Sequence, residues 1–231
     1  MQSLFGFLNL VPPASQNKIK FASLSFTAFS VRLAITSLAF TAVTWNGSSY
    51  AGVDNAPGIG VAPVGAKTVQ CPSILQQNVA RLQDEKELSL CQFSGQVVLV
   101  VNTASYCGFT PQYKALEALY DQYKSKGLVV LGFPSNDFSQ EPDSNGQIAD
   151  FCENTFGVKF PMFTKTSVKG SSASPLFKQL AQRTQTTPKW NFYKYLISRD
   201  GQTIKSFNSM TSPDEKGFLT EVQKQLAVPA L

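Results

Sequence analysis

Gly95–Tyr113 reads GQVVLVVNTASYCGFTPQY, and the order of its parts sets the fold class. Val97–Val101 is an unbroken apolar run, the pattern of a strand buried on both faces. Thr110-Pro111 reads as a helix opening, with a hydroxyl for the N-cap and proline at the first helical position. Cys107 falls between the two, at the carboxyl end of the strand and the amino end of the next helix. In open α/β sheets that crevice is where ligands bind. A lone cysteine there is either a nucleophile or a small buried hydrophobe.

Outward from this stretch the pattern stays compact. Pro111–Lys124 is expected to be helical, with Tyr113, Leu116, Tyr120 and Tyr123 on one stripe. Leu128–Phe133 is a second buried strand, so the pieces form a strand–helix–strand crossover with parallel strands. Ser144-x-x-Gln147 is a capping-box signature for a helix that presents Ile148, Phe151, Cys152 and Phe156 and stops at Gly157. Lys86–Leu90 and Phe160–Phe163 read as short strands. Ser174-Pro175 opens another helix, and Phe192–Ile197 and Gln202–Phe207 flank the hairpin signal Asp200-Gly201. Ser212-Pro213-x-Glu215 caps a final helix. The expected unit is one α/β domain over residues 71–231, within the usual domain size range.

Residues 1–70 have a different character. No Asp or Glu occurs before Asp54, Ser and Thr abound, and Phe21–Val43 is hydrophobic apart from Arg32. Leu33–Val43 is short for a bilayer span but suits a signal-peptide hydrophobic region, with Ser49-Tyr50-Ala51 as a small-x-small cleavage site. A plastid or mitochondrial transit peptide fits the same composition, and an uncleaved anchor and a non-targeting tail are the other readings. The expectation is a targeting segment and linker, with export to a periplasm-like space or delivery to a plastid.

Composition removes whole classes of chemistry. The chain of 231 residues has no histidine, which excludes Ser-His and Cys-His pairs and imidazole metal sites. Cys71, Cys91, Cys107 and Cys152 include no CxxC pair, and four scattered cysteines do not make a disulfide scaffold. The formal charge of +5 is concentrated early; without residues 1–51 it is 17 basic against 15 acidic residues, with no patch that suggests nucleic acid.

Two further segments stand at strand ends. FPSNDFSQEP, Phe133–Pro142, carries Gln140, and KWNFYKYL, Lys189–Leu196, carries Trp190 and Asn191. With NTASYCGFTPQY they resemble the glutathione peroxidase family, over roughly Ala80–Leu226. The resemblance implies a thioredoxin-like fold, a central mixed sheet flanked by helices, and a peroxidase that needs no cofactor and no metal. It places Cys107 at the peroxidatic position and Gln140, Trp190 and Asn191 in the rest of the catalytic tetrad. The loop Asn136–Gln140 is a residue shorter than the common family form. With no histidine available, the helix amino end, the indole N–H and the two amides would stabilise the thiolate that attacks peroxide.

IADFCENTFGV resembles the segment that holds a resolving cysteine in thioredoxin-using members. That assigns Cys152 as the resolving thiol, packed in the reduced state and reached by local unwinding around Gly146–Gly157. Cys71 and Cys91 have no counterpart in the resemblance and read as structural or incidental. Only Thr184–Lys189 separates the Leu176 helix from Trp190. The insertion of tetrameric, glutathione-using members is thus missing, which implies a monomer open to hydrogen peroxide and bulky lipid hydroperoxides. The implied reductant is thioredoxin, with glutathione and a non-enzymatic peroxide sensor as alternatives. A peroxiredoxin would place its threonine three residues before the cysteine, whereas Thr103 stands four before Cys107. A copper chaperone would want a paired cysteine and a histidine.

Overall fold

The computed structural model describes residues 70–229, and the targeting segment expected over residues 1–70 lies outside them but for Gln70. The central sheet has four strands in the order β4-β3-β5-β6. β3 (Val97–Thr103) runs parallel to β4 (Leu128–Pro134) and antiparallel to β5 (Lys194–Ile197), which pairs antiparallel with β6 (Ile204–Phe207). The sheet is therefore mixed, with the expected crossover on its parallel side. A separate hairpin of β1 (Asn78–Ala80) and β2 (Glu87–Ser89) precedes it.

The side-chain period of two explains the unbroken run in β3. Val97, Leu99 and Val101 enter one core, with Tyr113, Leu116 and Leu119 of α1 (Gln112–Tyr123) and Phe218 and Val222 of α4 (Lys216–Ala227). Val98 and Val100 enter the other, with Leu176, Phe177 and Leu180 of α3 (Pro175–Thr184). A strand between two apolar layers cannot alternate with polar residues. α2 (Asn145–Phe156) adds Ile148 and Cys152 to the first core. Its capping box is complete: Gln147 N donates to Ser144 Oγ, and Ser144 N donates to Gln147 Oε1. Gly157 ends it at φ +62°, a conformation that favours glycine.

Several sequence expectations are corrected. Phe160–Phe163 is not a strand; Met162 and Phe163 make only isolated bridges, to Gly132 and Arg81 respectively. The segment lies so close to β4 that a Cβ at Gly132 would stand 2.2 Å from Met162 Sδ. The final helix starts at Lys216 after Glu215, without a side-chain cap from Ser212 or Glu215. Asn78–Ala80 is a strand the sequence pattern did not mark, because three residues carry no readable period. Cys71 and Cys91, read from the sequence as structural or incidental, are joined in a disulfide with Cα atoms 5.2 Å apart.

Arg199 closes the far end of the sheet. Its guanidinium donates to Gly95 O, Lys126 O, Leu226 O and Val228 O at 2.9–3.3 Å. One side chain thus gathers the turn before β3, the turn before β4 and the carboxyl end of α4.

Candidate active site

Cys107 sits in the turn between β3 and α1, and it is buried. Thr110 does not cap α1 as expected; the helix begins at Gln112 after Pro111, and no side chain caps it. The Thr110 hydroxyl instead accepts from Cys107 N at 3.0 Å and donates to Ala104 O at 2.8 Å. It ties both flanks of the cysteine turn together, while Thr110 N closes the turn on Cys107 O at 3.0 Å. Phe109 N points at Cys107 Sγ from 3.4 Å. That backbone donor stabilises negative charge on sulfur, and no side-chain pattern could have revealed it.

The loop after β4 grips this turn from the other side. Tyr106 N donates to Gln140 O at 3.0 Å, and Ser105 donates from both N and Oγ to Glu141 Oε2 at 3.0 and 2.5 Å. Burial pushes the Glu141 carboxyl up to about 7 despite the Ser105 bonds and the charge of Lys165, which pull it down. Glu141 Oε1 is buried without a partner. Sequence reading passed over Glu141 because its role depends on Ser105, 36 positions away.

Trp190 and Asn191 arrive on the segment before β5. Asn102 at the end of β3 fixes that segment. Its Nδ2 donates to Trp190 O at 3.1 Å, its backbone O accepts from Phe192 N at 2.6 Å, and its Oδ1 accepts from Tyr193 N at 3.0 Å. Phe192 is left at φ +62°, an uncommon conformation for an aromatic residue. Asn191 is fully buried, and its Nδ2 donates to Gln140 Oε1 at 2.9 Å. This bond joins two members of the expected tetrad and leaves the Gln140 amide N–H groups free to donate elsewhere. Trp190 is 41% exposed and rests on Phe138, ring centroids 5.3 Å apart.

Trp190 also lines a shallow groove of about 310 Å³ with Phe109, Tyr193, Met210 and Lys189. Phe109, two residues from Cys107, brings the cysteine turn to the same groove. Tyr106 and Met210 are exposed beside these turns. Among the described residues, Cys107 and Cys152 are the free cysteines, and both belong to the first core. Cys152 donates to Tyr113 Oη at 3.5 Å, and burial raises its thiol to about 11. Burial thus favours the protonated thiol of Cys152 over the nucleophilic thiolate.

The glutathione peroxidase family profile matches residues 75–181. The hydroperoxy fatty acid reductase of Synechocystis sp. is 44% identical over 170 residues, covering 69% of this chain and 99% of the relative. The chain belongs to the glutathione peroxidase family. It is accordingly a peroxidase, an oxidoreductase that uses peroxide as its electron acceptor. A glutathione peroxidase-like peroxiredoxin of Chlamydomonas reinhardtii is 49% identical over 137 residues, covering 57% of this chain and 83% of that one.

Solved structures agree with the family and its fold. The apo form of Trgpx matches at TM-score 0.56 and 37% identity, covering 70% of this chain and all of that one. A thioredoxin-family thiol:disulfide interchange protein of Chlorobium tepidum matches at TM-score 0.51 and 14% identity, covering 65% of this chain and 93% of that one. The latter bears on fold alone. The domain is thioredoxin-like, as the resemblance implied.

Proposed function

We propose that this family member is a thiol peroxidase with Cys107 as nucleophile, Cys152 as resolving thiol and a thioredoxin-type dithiol protein as reductant. The observation that carries the proposal is Cys107, held by Thr110 at the strand end, with Phe109 N on its sulfur. The Cys107 thiolate attacks one peroxide oxygen, the O–O bond breaks, and the other oxygen leaves as water or alcohol after taking a proton. Free N–H groups of Gln140 and Trp190 would steady charge as that bond breaks. Cys107 becomes a sulfenic acid. Cys152 then attacks its sulfur and water leaves, giving a Cys107–Cys152 disulfide that a dithiol opens by exchange.

The burial of Cys152 fits this order of events. A thiol buried in the first core and raised to about 11 does not compete for peroxide, and loosening of α2 would free it for resolution. The apolar groove with Lys189 at its edge favours acyl hydroperoxides that carry a carboxylate, in addition to hydrogen peroxide. That reading accords with the relative named for hydroperoxy fatty acids. The short Thr184–Lys189 connection, without the insertion of tetrameric members, supports a monomer.

Steady-state peroxide consumption by the full chain, with thioredoxin or glutathione as sole reductant, tests the proposal. Thioredoxin should sustain turnover and glutathione should not. Cys107→Ser should be inactive with either, and Cys152→Ser should complete one round and then stop with thioredoxin. Faster turnover with glutathione, unaffected by Cys152→Ser, would select the glutathione-dependent alternative. A single round with either reductant in the wild type would select a peroxide sensor.

A further inference from the structure

Cys71 and Cys91 take no part in these steps, yet they are bonded to each other across a sequence separation of 20. Cys71 precedes the short turn Ser73–Leu75, and Cys91 lies in the turn Leu90–Phe93 that leads into β3. The β1–β2 hairpin lies between them, so the bond closes that hairpin at its open end. The strap it secures belongs to the second core, where Ile74 and Leu75 are buried with Leu90, Val98 and Val100. Pro72 packs so closely on the β5–β6 turn that a Cβ at Gly201 would stand 2.4 Å from it. The backbone bond from Leu90 N to Gln77 O, 3.0 Å, joins the two arms inside the cross-link.

The native fold treats the two cysteine pairs in opposite ways. With α2 formed, Cys107 and Cys152 are thiols, and Cys152 is packed against Tyr113. Packing therefore favours the reduced form of that pair. With the strap seated, the Cα atoms of Cys71 and Cys91 stand 5.2 Å apart, so the folded strap holds this pair at disulfide reach. A state that the fold prefers is stabilised by linkage, whichever agent makes it. Reducing cytosol keeps ordinary thiols open, and disulfides of this kind persist in oxidising compartments.

We infer that Cys71–Cys91 is a permanent staple, made by disulfide exchange outside a reducing cytosol and left closed by the dithiol that regenerates the catalytic pair. One of the two thiolates attacks the disulfide of a protein disulfide donor, giving a mixed disulfide. The second then displaces the donor sulfur, and the donor leaves as a dithiol carrying two electrons and two protons. Any cut that removes the amino-terminal segment must then fall before Cys71, or the staple is lost.

A redox titration of the full chain decides the matter. The oxidised protein is equilibrated in graded mixtures of reduced and oxidised dithiothreitol, quenched in acid, alkylated and mapped by peptide mass. Opening Cys71–Cys91 should require a ratio of reduced to oxidised reagent higher by a factor of about ten or more than opening Cys107–Cys152. Under thioredoxin-driven turnover, Cys107 and Cys152 should label while Cys71 and Cys91 stay linked. Opening of both pairs together, or of Cys71–Cys91 first, would overturn the inference. The joint change Cys71→Ser with Cys91→Ser should lower the urea midpoint and leave peroxide turnover per folded molecule within about twofold. An unchanged midpoint would also overturn it. Should that variant fail to fold, the wild-type titration still gives the answer.

Discussion

Thr110 shows how one side chain can be misplaced by a sound local rule. A threonine before proline and an apolar stripe is a good helix opening, yet its hydroxyl serves the cysteine turn. Thr110→Val keeps the shape and removes the hydroxyl, leaving Cys107 N and Ala104 O without partners. The expected loss is about 2 kcal/mol of stability, from one buried polar pair left unsatisfied. Peroxide reactivity should fall with it, because the turn that presents Phe109 N to the sulfur is loosened. Thr110→Ser should recover most of both quantities. A Thr110→Val enzyme with full peroxide reactivity in stopped-flow assays would show that the turn holds itself.

The same residue marks where sequence reading ends. Sequence reading singled out Cys107, Gln140, Trp190 and Asn191 because each belongs to a distinctive segment. The Asn191–Gln140 hydrogen bond now joins two of those segments directly. Phe109 N was not legible, since every residue but proline has a backbone N–H and only the turn geometry aims it. Glu141 was not legible either, because its acceptor role exists only once Ser105 is brought to it.

Elements differ in how firmly they are held, and the difference matches the proposed cycle. α1 buries Tyr113, Leu116, Leu119 and Tyr123, whereas α2, of equal length, buries Ile148 and Cys152. Gly146 lies in the first turn of α2 and Gly157 caps its end. Fewer apolar contacts mean a smaller opening free energy. Amide exchange should therefore be faster across α2 than across α1, and faster still in the oxidised enzyme. Equal protection of the two helices in both redox states would contradict local unwinding around Cys152. The β3–α1–β4 crossover and the capping box were readable because each is set by near neighbours. Arg199 was not, because the four carbonyls it gathers come from three distant segments. Arg199→Ala should cost about 2 kcal/mol, as four part-buried carbonyls lose one charged donor group, measured as a lower urea midpoint with an unchanged m-value. A loss of only a few tenths would mean that water replaces the guanidinium.

At the scale of the whole molecule, Glu141 and Lys194 are two buried groups whose opposite shifts shape the pH dependence of stability around neutrality. Burial raises the Glu141 carboxyl from 4.5 to about 7. Between those values the folded protein holds a proton that the unfolded chain has released, so stability falls as pH rises across the interval. Burial lowers the Lys194 ammonium from 10.5 to about 7, and its Nζ donates to Phe192 O at 2.7 Å. Between 7 and 10.5 the unfolded chain holds the extra Lys194 proton, so this group makes stability climb as pH rises, until above about 9 the raised Cys152 thiol opposes it. The two contributions together place a minimum near pH 7. Urea midpoints at graded pH should show that dip. Glu141→Gln should flatten the acid side, and Lys194→Met should flatten the alkaline side. Parallel profiles for wild type and both variants would refute the assignment. Both groups adjoin the proposed site: Glu141 lies beside Gln140 in the loop after β4, and Lys194, the first residue of β5, donates to Phe192 O of the preceding turn. The fold thus tolerates buried charge where those loops must be held still, and the two apolar cores on either side of β3 supply the stability that offsets it.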